Sequence, residues 1–366
     1  MSVRYLPQLD SLRAFAALAV LAHHFFEDTF FIAVLPLGDL GVRLFFVLSG
    51  FLITLILLDA RDKRSSSDGN FRLFYHFYMR RFFRLFPIYY LYLFVIFFGV
   101  YGSTKDSWYF FTYLQNFLFS FQDGFGDYYL LAHFWTLAVE EQFYIVWPFV
   151  IIFTPSRYLF SVLVAFVALG VFLRGLMFYL GASHFQASMM VFSHFDTLAI
   201  GSCLAYMVSR DMPKLTKICW ISTIAGFTLL VLVLITKILR LDSAWELLLG
   251  ELGAGLLFVG MINYCRVGVP GLVGRLLEMR WLIYLGKISY GLYVYHLLVF
   301  YLLDKYEIKF PVMKVAGLDL LNFFFYTLCA IAVSALSWQI YESPINRFKA
   351  KFTLSSTQSA EASSNK

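Results

Sequence analysis

Ten stretches of this chain are candidates to cross a lipid bilayer, and most of its charges sit between them. They lie near residues 12–29, 40–58, 87–103, 134–153, 157–180, 188–208, 217–236, 244–263, 281–303 and 316–341. A helix needs about 20 residues to cross a hydrocarbon layer about 30 Å thick. In that solvent every backbone polar group must be satisfied internally, so long apolar segments of this kind are confined to helices. The expectation is an all-α polytopic membrane protein of about ten transmembrane helices. Composition agrees: 60% of residues are hydrophobic, 14% are charged, and mean hydropathy is +0.73. A soluble domain is nearer half apolar and a quarter charged. The aromatic share of 20% suits lipid-facing bulk and interfacial belts.

Charge placement sets the expected orientation. With the N-terminus in the cytoplasm, 20 of the 29 Lys and Arg residues fall on that side and seven on the other, with Arg174 and Lys287 inside spans. An even number of spans then returns the C-terminus to the cytoplasm. The net charge of +6 is spread between apolar runs, so no nucleic-acid partner is expected. The four cysteines are isolated and lack metal-ligand spacing, so no metal is expected. The N-terminal run is read as a retained span and not a cleaved signal, because Asp10 and Arg13 interrupt its start. Residues 1–348 are expected to form one transmembrane domain. Residues 349–366 are expected to be a disordered cytoplasmic tail, and "ARDKRSSSDGN" (60–70) a polar cytoplasmic loop.

Ionisable groups inside apolar spans are costly and mark function. Counting rise along each helix, His24, Ser49, Glu140, Asp196, Glu251 and His296 fall at one level, about 17–23 Å from the cytoplasmic side. That suggests a shared polar cavity. Asp196 and Glu251 read equally well as structural residues held by partners, and His23 or His24 as interhelical hydrogen-bonding residues. Glu140 and Glu141 are about 100° apart around a helix, so they cannot face one point. Arg13 and His24, eleven residues apart, return to one stripe about 16 Å apart, with the arginine at the mouth. Arginine recognises phosphate and histidine moves protons near neutral pH. Arg13 also reads as a flanking charge paired with Asp10. The segment "FRLFYHFYMRRFFRLFP" (71–87) reads as an amphipathic surface helix. Its Arg81 and Arg84, at i and i+3, suit either a phosphorylated ligand or anionic headgroups. Residues 104–133 carry Trp108, Tyr109, Phe111, Tyr113, Tyr128 and Tyr129, which suit sugar stacking or interfacial burial.

These residues carry a family pattern. "LDSLRAFAALAVLAHH", "GVRLFFVLSGFLIT", "RRFFRLFP", "FWTLAVEEQFYIVWP" and "LGKISYGLYVYH" occur in order. Together they resemble the membrane-bound acyltransferase-3 family of bacterial surface-glycan O-acyltransferases, to about residue 348. Thr136 stands where the family usually has serine. Some members carry an extracytoplasmic esterase-like domain, and none is expected here. The resemblance implies transfer of an acyl group, with acetyl from acetyl-CoA the expected one, to a hydroxyl of a glycan or lipid-linked sugar at the bacterial inner membrane. It implies His24, Glu140 and Ser49 as catalytic residues, and Arg13, Arg81 and Arg84 as donor-binding residues. A proton-coupled transporter and a scaffold of a polysaccharide export complex stay open as alternatives.

Overall fold

Pro7 opens the first helix, where its fixed φ suits the start and its missing N–H leaves no donor unsatisfied. The protein is described by a computed structural model covering residues 5–27, 29, 32, 35–63, 69–102, 104–239, 244–312, 318–348 and 352. Its helices are α1 (Pro7–Phe25), α2 (Leu37–Asp62), α3 (Asn70–Ile96, continued by a π turn Phe97–Tyr101), α4 (Ser107–Phe111), α5 (Gln115–Gln122) and α6 (Phe134–Phe153). They continue as α7 (Ser156–Tyr179), α8 (His184–Met189), α9 (Phe195–Ser209), α10 (Leu215–Ile238) and α11 (Ala244–Val267). The last are α12 (Gly271–Leu277), α13 (Arg280–Lys287), α14 (Ser289–Lys305), α15 (Leu320–Ser337) and α16 (Ser343–Phe348). No β-strand occurs among the described residues.

Eight helical segments are long and apolar enough to cross a membrane, and α13 with α14 makes a ninth if that bent pair is one span. The chain is an all-α polytopic membrane protein. The first expected span, α1, is 19 residues long but carries Asp10, Arg13, His23 and His24 and falls outside this set. Two expectations are corrected. The surface helix expected over 71–87 and the span expected over 87–103 are one continuous helix, α3 with its π turn. Pro87 lies inside that helix without breaking it. The Tyr290 hydroxyl packs beside the proline and donates to the Leu85 carbonyl at 2.9 Å. The span expected over 281–303 is broken between Lys287 and Ser289, with a bend of 73°. The tail from 353 onward and residues 64–68 of the polar loop lie outside the described residues.

The chain forms two compact units, interleaved in sequence. One contains Arg43–Ser65 and Asp106–Gly268; the other contains Arg4–Val42, Ser66–Lys105 and Val269–Lys366. In the first unit, α2 and α9 cross at glycines. A Cβ on Gly50 would overlap the Leu198 carbonyl, and one on Gly201 would overlap the Val47 carbonyl. Small residues at such crossings let two backbones approach closely. A buried hydroxyl ladder fills the same face: Trp147 Nε1 donates to Thr54 at 2.7 Å and Thr54 donates to Ser202 at 2.8 Å. In the second unit, α1 is pinned at its start. The Gln8 amide donates to Glu278 at 2.8 Å and accepts from the Val269 N–H at 2.8 Å, and the Ser11 hydroxyl donates to the Leu277 carbonyl at 2.5 Å.

Gly50→Ala and Gly201→Ala are expected to cost about 1–3 kcal/mol each through overpacking. Gly250→Ala, where an added Cβ meets nothing within 4 Å, is expected to be neutral. Thermal unfolding of the three detergent-solubilised variants checks this order.

Candidate functional site

On α6, Glu140 and Tyr144 are one turn apart and share a face. Ser49 of α2 lies between them: its hydroxyl donates to Glu140 Oε1 at 2.6 Å and accepts from the Tyr144 hydroxyl at 3.0 Å. Ser49 and Glu140 are partly exposed, whereas Glu141 is buried. The two adjacent glutamates therefore differ as the helix rotation requires. Tyr144 went unnoticed in the sequence. Its spacing of four from Glu140 was the available signal.

The same unit holds two buried ionic groups. Arg174 grips both oxygens of Asp196, at 3.1 and 2.6 Å, and both side chains have no exposure. Arg174 also donates to the carbonyls of Ser193 and Leu248. Arg43 Nε meets Glu251 Oε1 at 2.9 Å, with His194 Nδ1 3.5 Å from the other oxygen. The His194 ring lies against Phe46 and Trp135, at centroid distances of 5.0 and 5.3 Å. Of the two readings open for them, Asp196 takes the structural one, in an enclosed ion pair, and Glu251 does so in a nearly enclosed one. A buried charge persists only with a partner and hydrogen bonds.

In the other unit, His24 lies against two imidazoles. Ring centroids are 5.5 Å from His23 and 5.3 Å from His296. His296 is fully buried and its Nδ1 donates to the Tyr293 carbonyl at 2.7 Å. That fixes its tautomer and ring plane. His24 Nδ1 sits 3.9 Å from Glu27. His23 is held where α2 begins, because Gly38 has no side chain: a Cβ there would stand 2.6 Å from His23 Cγ.

Arg13 and His24 both lie on α1, as the spacing implied. Arg13 binds Asp10 at 2.8 Å, and Asp10 also accepts from the Tyr5 hydroxyl at 2.8 Å. Burial and the Asp10 carboxylate push the Tyr5 phenol above its usual range. The guanidinium of Arg81 lies 6.0 Å from the Phe77 ring centre. Arg84 is within electrostatic reach of Glu342, a buried acid of the π turn Trp338–Glu342. The expected outward aromatic segment divides: Tyr113 and Tyr128 are buried, while Trp108 and Tyr129 are exposed.

A family model described as an acyltransferase domain matches residues 6–339. The chain belongs to the acyltransferase-3 family. It is 28% identical over 374 residues to the peptidoglycan O-acetyltransferase OatA of Listeria monocytogenes, covering 94% of this chain and 56% of that protein. It is 29% identical over 370 residues to the Bacillus subtilis protein named "Putative peptidoglycan O-acetyltransferase YrhL", covering 93% and 55%. The chain therefore spans little more than half the length of these relatives. No solved structure matches it.

Asp196→Asn leaves Arg174 buried without a counter-charge and is expected to cost about 3–5 kcal/mol. The double variant Arg174→Met/Asp196→Leu is expected to lose less than either single change. Thermal unfolding of the purified variants measures both.

Proposed function

We propose that the chain is an integral-membrane O-acyltransferase moving an acyl group, acetyl from acetyl-CoA, to a hydroxyl of a cell-surface glycan or its lipid-linked precursor. The single observation that carries this reading is the family match over residues 6–339. It also favours the enzyme over a transporter or a scaffold. The names of the relatives point to a peptidoglycan-type sugar as acceptor.

In the proposed reaction His24 is the general base. It takes the proton of the acceptor hydroxyl as that oxygen attacks the thioester carbonyl carbon. The carbon–sulfur bond breaks, the coenzyme thiolate leaves, and the ester is formed. The packing of His24 against the tautomer-fixed His296 supports this role, because a base must be held in one orientation. Glu140, hydrogen-bonded to Ser49, is assigned the second catalytic position. Arg13, Arg81 and Arg84 are assigned to the phosphates of the donor, which reaches them from the cytoplasm. A guanidinium carries five N–H donors, so Arg13 keeps donors for a phosphate while one nitrogen holds Asp10. The basic bias of the loops supports cytoplasmic termini in an inner membrane.

Purified full-length protein in lipid nanodiscs, given labelled acetyl-CoA, is expected to release CoA and pass label to a glycan acceptor. His24→Ala is expected to abolish both while unfolding at the wild-type temperature. Wild-type turnover by that variant would remove His24 from the chemistry, and solute flux without CoA release would replace the enzyme with a transporter.

Arg81→Ala and Arg84→Ala are each expected to weaken acetyl-CoA binding by about 1.5–3 kcal/mol, the worth of a charged hydrogen bond. Isothermal titration with acetyl-CoA measures it, and unchanged affinity in both variants would make the segment a lipid anchor.

A further inference from the structure

The Ser49 hydroxyl has one proton and two acceptor sites. Its 2.6 Å approach to Glu140 Oε1 is the distance of a hydroxyl donating to a carboxylate, about 2.5–2.7 Å. The Tyr144 contact at 3.0 Å is an ordinary neutral hydrogen bond. The protons therefore run one way, from Tyr144 to Ser49 to Glu140. Tyr144 is only 4% exposed, so water does not supply its hydroxyl with a routine alternative partner. Glu140 and Tyr144 stand on one face of α6, and Ser49 bridges them from α2. A hydrogen bond received at the Ser49 oxygen polarises its O–H and strengthens the bond that it donates to Glu140.

We propose that Tyr144 is a positioning residue for acyl transfer: by donating to Ser49 it holds the Ser49 proton on Glu140 and fixes the direction in which that carboxylate presents its other oxygen. The inference rests on the acyl-transfer reading and on the place of Glu140 in it. It is distinct from the neighbouring Trp147–Thr54–Ser202 ladder, which is fully buried and closes on the backbone carbonyls of Gly50 and Leu198. The Tyr144 chain ends instead on a partly exposed carboxylate.

The test measures CoA release from acetyl-CoA by full-length protein in nanodiscs, with Tyr144→Phe, Ser49→Ala, Glu140→Gln and the double variant Tyr144→Phe/Ser49→Ala. Phenylalanine keeps the ring and removes only the hydroxyl. Turnover in Tyr144→Phe is expected to fall about tenfold, the worth of one well-placed hydrogen bond. The KM for acetyl-CoA is expected to stay within about twofold, the split expected of an interaction made in the transition state. The double variant is expected to be no slower than Ser49→Ala alone, since both break one chain. A purely structural tyrosine would lower the unfolding temperature and leave turnover per folded molecule unchanged, which overturns the proposal. So would losses that multiply in the double variant. If Glu140→Gln and Ser49→Ala slow release while Tyr144→Phe does not, only the role of Tyr144 falls. If Glu140→Gln turns over like wild type, or wild type releases no CoA, the assignment beneath falls and the proposal with it.

Discussion

A charge taken into an apolar interior must be partnered, and in this protein that requirement decides which polar residues hold the fold together. Arg174 and Asp196 show it at its limit: neither side chain is exposed, and two backbone carbonyls accept further bonds from the guanidinium. The pair ties α7 to the start of α9 and to Leu248 on α11. Arg43 and Glu251 repeat the arrangement between α2 and α11. Such pairs add little net stability relative to apolar packing, yet losing one partner is severe. They therefore fix which helices are neighbours. The candidate site residues differ in kind: His24, Ser49 and Glu140, proposed for catalysis, and Arg13, proposed for donor binding, all keep some exposure. Chemistry needs a group that is held but still reachable.

The Ser49–Gly50 pair joins both requirements. Consecutive residues on a helix point about 100° apart. Gly50 meets α9 at a distance no side chain allows, while Ser49 turns to Glu140 and Tyr144 on α6. The close crossing and the hydrogen bond are thus one design: α2 is pressed against α9 at Gly50, and that contact sets where the neighbouring hydroxyl sits.

Periodicity and hydropathy located the helices well where a single segment carries the whole signal. The span expected over 134–153 matches α6, Phe134–Phe153. They failed where a distant partner changes a local rule. Pro87 marks a helix boundary in isolation, yet α3 runs through it, packed beside Tyr290 and Tyr341, whose hydroxyls donate to the Leu85 and Pro87 carbonyls at 2.9 and 3.4 Å. The break at Lys287–Ser289 accompanies the docking of Gly286 against the Asp10 backbone, which no local pattern announces. The site shows the same division. The depth count grouped His24, Ser49, Glu140 and His296 with Asp196 and Glu251, and the structure sets the two histidines beside each other and the serine on the glutamate. The count could not separate Asp196 and Glu251 from them. Their neutralising arginines lie far away in sequence, and Arg43 reads locally as a loop charge. Glu342 was missed for the same reason: it lies in a π turn whose burial comes from packing.

Two consecutive glutamates on one membrane helix cannot share an environment, and α6 uses the difference. Glu141 points into the buried side of its unit. Glu140 emerges beside the Ser49 hydroxyl with part of its surface accessible. An acid that is wholly enclosed is confined to neutralising a fixed partner. An acid held by a neutral hydroxyl keeps its charge available to a group that arrives later. Ser49 binds one oxygen of Glu140 through a hydroxyl that carries no charge of its own. That contrast separates Glu140 from Asp196 and Glu251, although all three are acids in apolar helices. Partial exposure and a hydroxyl at one oxygen set Glu140 apart from the two acids enclosed beside arginines, and the proposed reaction draws on that difference.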